Sequence, residues 1–182
     1  MLPYYLARDD NKNMKKQVME HGIMRDNRGF TLIELMVVIS IMMILTTMAL
    51  PSFQERIIRN QVKEAFNLAE VAKTGIEEYY NSTGRMPHSN QEAGLPVSEK
   101  MIGNYVTTVL VKDGVINITL GNKINKNVTG EIISIRPAIV EDAAKVPIAW
   151  IYAYSSVPKG MTVIGENGTS VLPRLLPIFC RI

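Results

Sequence analysis

The chain is poor in the residue types that build reactive sites. Cys180 is its only cysteine, so no disulfide can close within it. His21 and His88 are its only histidines, and neither has a neighbour at metal-ligand spacing, so no metal is predicted. His88 falls in a loop and reads as an ordinary exposed residue. No glycine-rich phosphate loop follows a strand, and Gly165-Glu166-Asn167-Gly168 has turn chemistry only. Nowhere do a nucleophile, a base and an orienting group converge in the pattern, so no catalytic residue and no cofactor are assigned. A surplus of one charge is also missing. The net charge of +3 comes mainly from the first 29 residues, and beyond them 14 bases face 13 acids. That balance provides no electrostatic case for nucleic-acid binding. With 47% apolar and 20% charged residues, a wholly disordered or fibrous chain is excluded, and 182 residues suit one domain with a real core.

What is present is uneven. Residues 30–50 form an apolar run in which Glu34 is the only charge. A helix of that length rises about 1.5 Å per residue to roughly 30 Å, the thickness of a bilayer's hydrocarbon core. Ahead of it lie Arg8, Lys12, Lys15, Lys16, Arg25 and Arg28, an excess of bases that predicts a cytoplasmic N-terminus. Residues 1–29 show no periodicity and read as a leader. Met14 and Met24 are alternative starts, and a start at Met24 would leave the compact basic leader Met24-Arg25-Asp26-Asn27-Arg28-Gly29. Four methionines in the run, Met36, Met42, Met43 and Met48, read as adaptable packing.

Pro51 is expected to bend the helix, since it lacks an amide hydrogen and clashes with the preceding turn. Residues 51–81 continue it as an amphipathic half. Ile58, Val62, Ala65, Ala69, Ala72, Ile76 and Tyr80 recur at steps of three and four, among Glu55, Arg56, Arg59, Lys63, Glu64, Glu70, Lys73, Glu77 and Glu78. Asn81-Ser82-Thr83-Gly84 ends it. Residues 82–182 form a β-rich head with a C-terminal loop region. Tyr105–Lys112 and Val115–Leu120 flank an Asp113-Gly114 hairpin turn, with Ile116, Ile118 and Leu120 on one face. Glu131–Arg136 forms a third strand that Pro137 ends, and Ile148–Tyr154 a fourth. The expectation is an α+β fold, one long N-terminal helix packed on an antiparallel sheet of three or four strands. Four Asn-X-Ser/Thr triplets, at Asn81, Asn117, Asn127 and Asn167, read as chance matches.

The segment Gly29-Phe30-Thr31-Leu32-Ile33-Glu34-Leu35-Met36 closely resembles the type IV pilin signature: a small residue after a basic leader, then an apolar span with an acid at its fifth position. The resemblance implies the pilin fold and cleavage of the Gly29–Phe30 bond by a prepilin peptidase, which also methylates the new Phe30 amine. It implies a precursor in the inner membrane with its N-terminus in the cytoplasm. The partners implied are copies of the subunit and other pilins in a helical filament, the peptidase, and the pilus assembly machinery. By its chemistry alone, Glu34 is an acid in a helix's first turn, favoured by the dipole, or a charge in a costly place that has a partner. The resemblance implies the second: Glu34 pairs with the Phe30 amine of a neighbouring subunit.

The likeness continues through Arg56-Ile57-Ile58-Arg59-Asn60-Gln61-Val62-Lys63-Glu64-Ala65, Tyr79-Tyr80-Asn81-Ser82-Thr83-Gly84-Arg85-Met86-Pro87 with Asn90 and Gly94-Leu95-Pro96, and Leu176-Pro177-Ile178-Phe179-Cys180-Arg181. It points to the type IVa branch and a filament serving adhesion, twitching motility or DNA uptake. One departure stands out. Such pilins usually close the C-terminal loop with a disulfide whose first cysteine lies two residues after a tryptophan, and here Trp150-Ile151 is followed by Tyr152. The unpaired Cys180 is expected to be buried, with Val163, Ile164, Leu172, Leu175, Leu176 and Phe179 available to hold the loop. A type II secretion pseudopilin, and a membrane-tethered enzyme or binding module, are the other readings. The Cys180-Arg181 match and the absence of an Asp-rich calcium loop favour the pilus over the first. The third lacks a convergent site.

Overall fold

The computed structural model describes residues 29–141, 143 and 146–181, and for residues 49–52 the backbone only. The proposed leader, with His21 and the candidate starts Met14 and Met24, lies outside the described residues apart from Gly29. A single helix, α1, runs from Leu32 to Thr83, 52 residues against the roughly fifty the pattern predicts. The backbone stays helical through Pro51. The chain divides into two units, one ending at Leu45 and one beginning at Thr46. In the first, every described side chain from Gly29 to Leu45 is exposed, and exposure continues to Met48 in the second. This is the one candidate membrane span among the described residues, by length and composition, with a mean hydropathy of 2.3. Ser40, polar within it, spends its hydroxyl on the Met36 carbonyl at 2.7 Å.

The second unit is organised by the amphipathic stripe. All seven predicted stripe residues are buried, and Phe66 joins them. Lys73 departs from expectation. One of the charges between the stripe positions, it is nevertheless only 6% exposed. Its ammonium reaches Glu70 at 2.6 Å, bonds the Tyr152 hydroxyl and lies 4.5 Å from the centre of the Tyr152 ring. A lysine on the flank of the stripe can lay its methylenes on the core while its head group finds such partners. α1 stops at Gly84, whose φ of 71° suits a left-handed cap and whose N–H bonds Tyr80 O at 2.8 Å.

The sheet that α1 packs against has the order β1(Val106–Lys112), β2(Val115–Leu120), β3(Ile132–Ile139), β4(Ala149–Tyr152), all antiparallel. Asp113 (φ 50°) and Gly114 (φ 81°) make the predicted hairpin turn, whose two positive φ angles match the twist of the strands. Val109, Val111, Ile116, Ile118, Leu120, Ile133 and Ile135 face the helix and are fully buried. Each contributes about 1.5–3 kcal/mol of apolar burial. β4 is shorter than Ile148–Tyr154 because Ala153 adopts φ 50° and turns the chain out of the sheet.

Two expectations need correction. Pro137 does not end the third strand, which runs on to Ile139. β2 pairs with β3 only as far as Ile135, and a fifth strand, β5(Thr162–Val163), takes over the same edge at Ala138 and Ile139. Pro137 O accepts from Ile164 N–H at 2.9 Å on that edge. Within a strand a residue's N and O point the same way, so the missing N–H falls where one partner strand has ended and the next begins. Proline is tolerated at such a gap. The sheet therefore has five strands rather than three or four, the fifth coming from the segment read as loop.

Candidate functional site

The sequence singles out Gly29, Phe30 and Glu34, and the structure brings these three together with Thr31 around one shallow, open concavity at the start of α1. Gly29 to Thr31 are not helical, and helix begins at Leu32. Thr31 is the cap: its Oγ1 accepts from Glu34 N–H at 3.2 Å, while its carbonyl accepts from Leu35 N–H at 3.2 Å. A threonine followed three residues later by glutamate is a capping-box sequence, and the acid also favours the positive end of the helix dipole. The Thr31 role was legible in the spacing but was not drawn from it.

This geometry leaves the Gly29–Phe30 bond in non-helical, exposed backbone, with Phe30 85% exposed. Among the described residues, a Cβ at Gly29 would meet nothing within 4 Å, so none of them places a steric demand for glycine there. Glu34 is exposed, as are Leu32, Ile33, Leu35, Met36, Val37, Val38 and Ile39. A carboxylate set in a fully exposed apolar rod is stable only when the rod is covered, by lipid or by other helices, and the acid finds a counter-charge.

Pro51 and Cys180 belong to the other unit. The side chains at 49–52 lie outside the described residues, so of Pro51 only its helical backbone is described. Cys180 is fully buried and unpaired, and burial pushes its thiol up to about 12, with Arg181 opposing more weakly. The C-terminal segment is held without a disulfide. Tyr152 stands where the sequence departs from the expected cysteine, and its ring packs at 5.4 Å against both Phe66 and Phe179. Tyr154 N–H donates to Cys180 O at 3.1 Å, and the Tyr154 hydroxyl donates to the carbonyls of Thr169 and Val171. Gly168 N–H donates to Ser134 Oγ, whose own hydroxyl donates to Asn117 Oδ1 at 2.6 Å. Of the residues expected to hold this segment, Leu175 and Leu176 are buried and Val163 and Ile164 half-buried, whereas Leu172 and Phe179 are exposed. Val171, not anticipated, is fully buried.

At the far side of the sheet, buried Asn90 closes the edge of β1. Its amide donates to Val109 O at 2.9 Å and its oxygen accepts from Val111 N–H at 2.7 Å. His88, next to it, pairs with Asp113 at 2.5 Å. That hydrogen bond, with help from Glu92, holds the His88 pKa above its ordinary value. No group of three or more metal-ligating side chains occurs among the described residues.

Comparison with known proteins shows the family. Residues 59–181 match the family of pilins, bacterial filament proteins, and residues 24–50 match the prokaryotic N-terminal methylation motif. A fimbrial protein of Neisseria meningitidis serogroup B is 35% identical over 159 residues, covering 85% of this chain and 94% of that protein. A type IV major pilin protein PilE1 of Neisseria gonorrhoeae is 35% identical over 156 residues, 85% of this chain and 87% of the relative. A gonococcal type IV major pilin protein PilE is 43% identical over 109 residues, 59% of this chain and 65% of that relative.

Proposed function

Because the chain belongs to the pilin family and is a structural subunit of a type IV pilus, we propose how its own residues carry it from membrane precursor to filament. A prepilin peptidase cuts the Gly29–Phe30 bond and methylates the Phe30 amine. Residues 30–50 then anchor the subunit in the inner membrane, with the N-terminus cytoplasmic and the head outside. Pro51 bends the anchor away from the head-bearing half of α1. On assembly, the anchor leaves lipid for a bundle of identical helices, and Glu34 receives the Phe30 amine of a neighbour.

The observation that carries this reading is the exposed, largely apolar rod from Phe30 to Met48, in which Glu34 is the only charge. Burying the terminal amine and the carboxylate together lets each relieve the other's desolvation. Non-helical backbone at Gly29–Phe30 supports cleavage at that bond, since a peptidase needs an accessible main chain. The open space around Gly29 among the described residues supports reading the preference for a small residue as the peptidase's own demand. A pseudopilin role is not favoured, because the relatives matched over most of the chain are fimbrial and major pilin proteins.

The test is mass spectrometry of the mature subunit, which should begin at Phe30 and carry one extra methyl group. Gly29→Ala should still be processed and Gly29→Leu should accumulate as precursor. A mature chain starting elsewhere would refute the assignment.

A further inference from the structure

The near-neutral head hides a segregation of charge. Around the part of α1 that follows the apolar run, three structures converge. On one flank of the buried stripe, Arg59 donates to Arg174 O at 2.7 and 3.0 Å, and Arg181 donates to the same carbonyl at 3.2 Å. On the opposite flank, Gln61 accepts from Asn125 N–H and Glu64 from Asn104 N–H, each at 3.0 Å. These two bonds seat the β2–β3 loop with Lys123 and Lys126, since Lys123 N–H in turn bonds Asn104 O at 2.9 Å. Arg56 and Lys63 lie exposed between the flanks. Seven bases thus ring the helix at one level, against Glu55, Glu64 and Glu131, in a region beyond residue 29 whose whole balance is 14 bases to 13 acids.

We propose that this collar docks the head of the membrane-anchored subunit on anionic phospholipid headgroups. The proposal rests on residues 30–50 being the membrane anchor. Arg56 and Arg59 follow Leu50 by six and nine residues of helical backbone, which sets an upper bound of roughly 9 and 14 Å on their height above it at 1.5 Å per residue, lowered by any bend at Pro51. Headgroups extend about 5–8 Å beyond the hydrocarbon, and charge at a surface reaches about a further Debye length of 8 Å. The collar therefore lies at the height where bases are attracted to anionic phospholipid in the outer leaflet, the side on which the head stands. Arg181 spends its hydrogen bonds on the neutral carbonyls of Leu176 and Arg174, which hold its guanidinium without cancelling its charge, whereas Arg59 also pairs with Glu55 at 3.0 Å and contributes less. Arg56, Lys63, Lys123, Lys126 and Arg174 remain exposed to lipid phosphate. Docking of this kind fixes the orientation of the head before polymerisation, and extraction into the filament releases it.

The experiment uses the full chain reconstituted in vesicles, labelled with an environment-sensitive fluorophore through Leu172→Cys, an exposed position two residues from Arg174. Buried Cys180 stays unlabelled, as mass spectrometry verifies. Both vesicle types, phosphatidylcholine alone and phosphatidylcholine with phosphatidylglycerol, carry the same fraction of headgroup-quencher lipid. Quenching should be stronger with phosphatidylglycerol, fall in 0.5 M salt, and drop about fivefold in docked population for each of Arg56→Gln, Lys126→Gln and Arg174→Gln. The Lys replacements at Arg56 and Arg174 should keep it. Equal quenching in both lipids, from chain that resists alkaline extraction, overturns the collar and leaves the anchoring reading intact. Chain that washes out of both vesicle types overturns the anchoring reading and the collar with it. Lipid-dependent quenching that appears only at high protein density assigns the collar to contacts between copies and overturns the lipid assignment.

Discussion

Replacing Glu34 separates two roles that the same position could play. As a residue at the third helical position, capped through Thr31, its carboxylate contributes about 0.3–1 kcal/mol through the helix dipole. As the counter-charge of a neighbour's amine in a dry bundle, its loss leaves a buried charge unpaired, at about 3–5 kcal/mol. The first effect changes an assembly equilibrium by roughly two- to fivefold, the second by more than a hundredfold. Glu34→Val and Glu34→Gln should therefore both abolish or nearly abolish filaments, while the subunit still inserts and is still cleaved. Glu34→Asp should be intermediate, because the charge survives on a shorter arm. Thr31→Ala is the internal control: it removes the cap at about 1 kcal/mol and keeps the charge, so filaments should persist at reduced yield. The assay is the yield of sheared filaments relative to mature subunit in the membrane. Parental yields from Glu34→Val would refute the pairing. Equal losses from Thr31→Ala and Glu34→Gln would assign the effect to the helix start instead.

Three further outcomes are expected. Pro51→Ala should raise the helical circular dichroism of a detergent-solubilised peptide spanning residues 30–60 without preventing insertion, and unchanged helicity would argue against a bend at that point. Cys180 should resist thiol reagents at pH 8 until the head unfolds, since burial holds its pKa near 12; the subunit should run as a monomer without reductant, and rapid labelling of the native chain would contradict the burial. Cys180→Ser should cost about 1–3 kcal/mol in thermal unfolding, more than Cys180→Ala if its hydroxyl stays unpaired. His88 should titrate in NMR above its ordinary value, and Asp113→Asn should lower that pKa, because the hydrogen bond to Asp113 is the largest cause of the shift. A folded pKa raised above the unfolded one makes the pair's small contribution complete below about pH 6.5 and lost as pH rises through the folded value. A His88 that titrates below its ordinary value would contradict the pairing.

The secondary structure was legible where one physical signal dominated. The stripe Ile58 to Tyr80 needed only helical periodicity, and β2 needed only alternation after an Asp-Gly turn. The errors came where a local rule was overruled by a partner distant in sequence. Proline usually stops a strand, but Pro137 sits where β5 arrives from residues 162–163. Lysine usually faces water, but Lys73 has the Tyr152 hydroxyl within reach from a strand far along the chain. Neither partner can be inferred from the residues beside it.

The same division holds for the proposed site. Its chemistry is local: a glycine, an aromatic, a capping threonine and one acid within six residues, followed by an apolar run of membrane length. Such information survives in sequence because each element depends on neighbours one helical turn away. The apolar run and the lone acid are legible by themselves, and it is their resemblance to the pilin signature that implies the polymerising role. What held the C-terminal segment was not readable. Phe66, Tyr152 and Phe179 meet as three rings only after α1, β4 and the chain's end are brought together. The collar likewise gathers Arg56, Lys126 and Arg174 from three separate stretches. Sequence determined the helix and the sheet face, because those are periodic, and its contiguous signature at Gly29 to Met36 pointed through a family resemblance to the residues proposed for processing and assembly. Tertiary structure alone decided which side chains stand in for a missing disulfide and where the charges gather, because both depend on contacts more than a hundred residues apart in the chain.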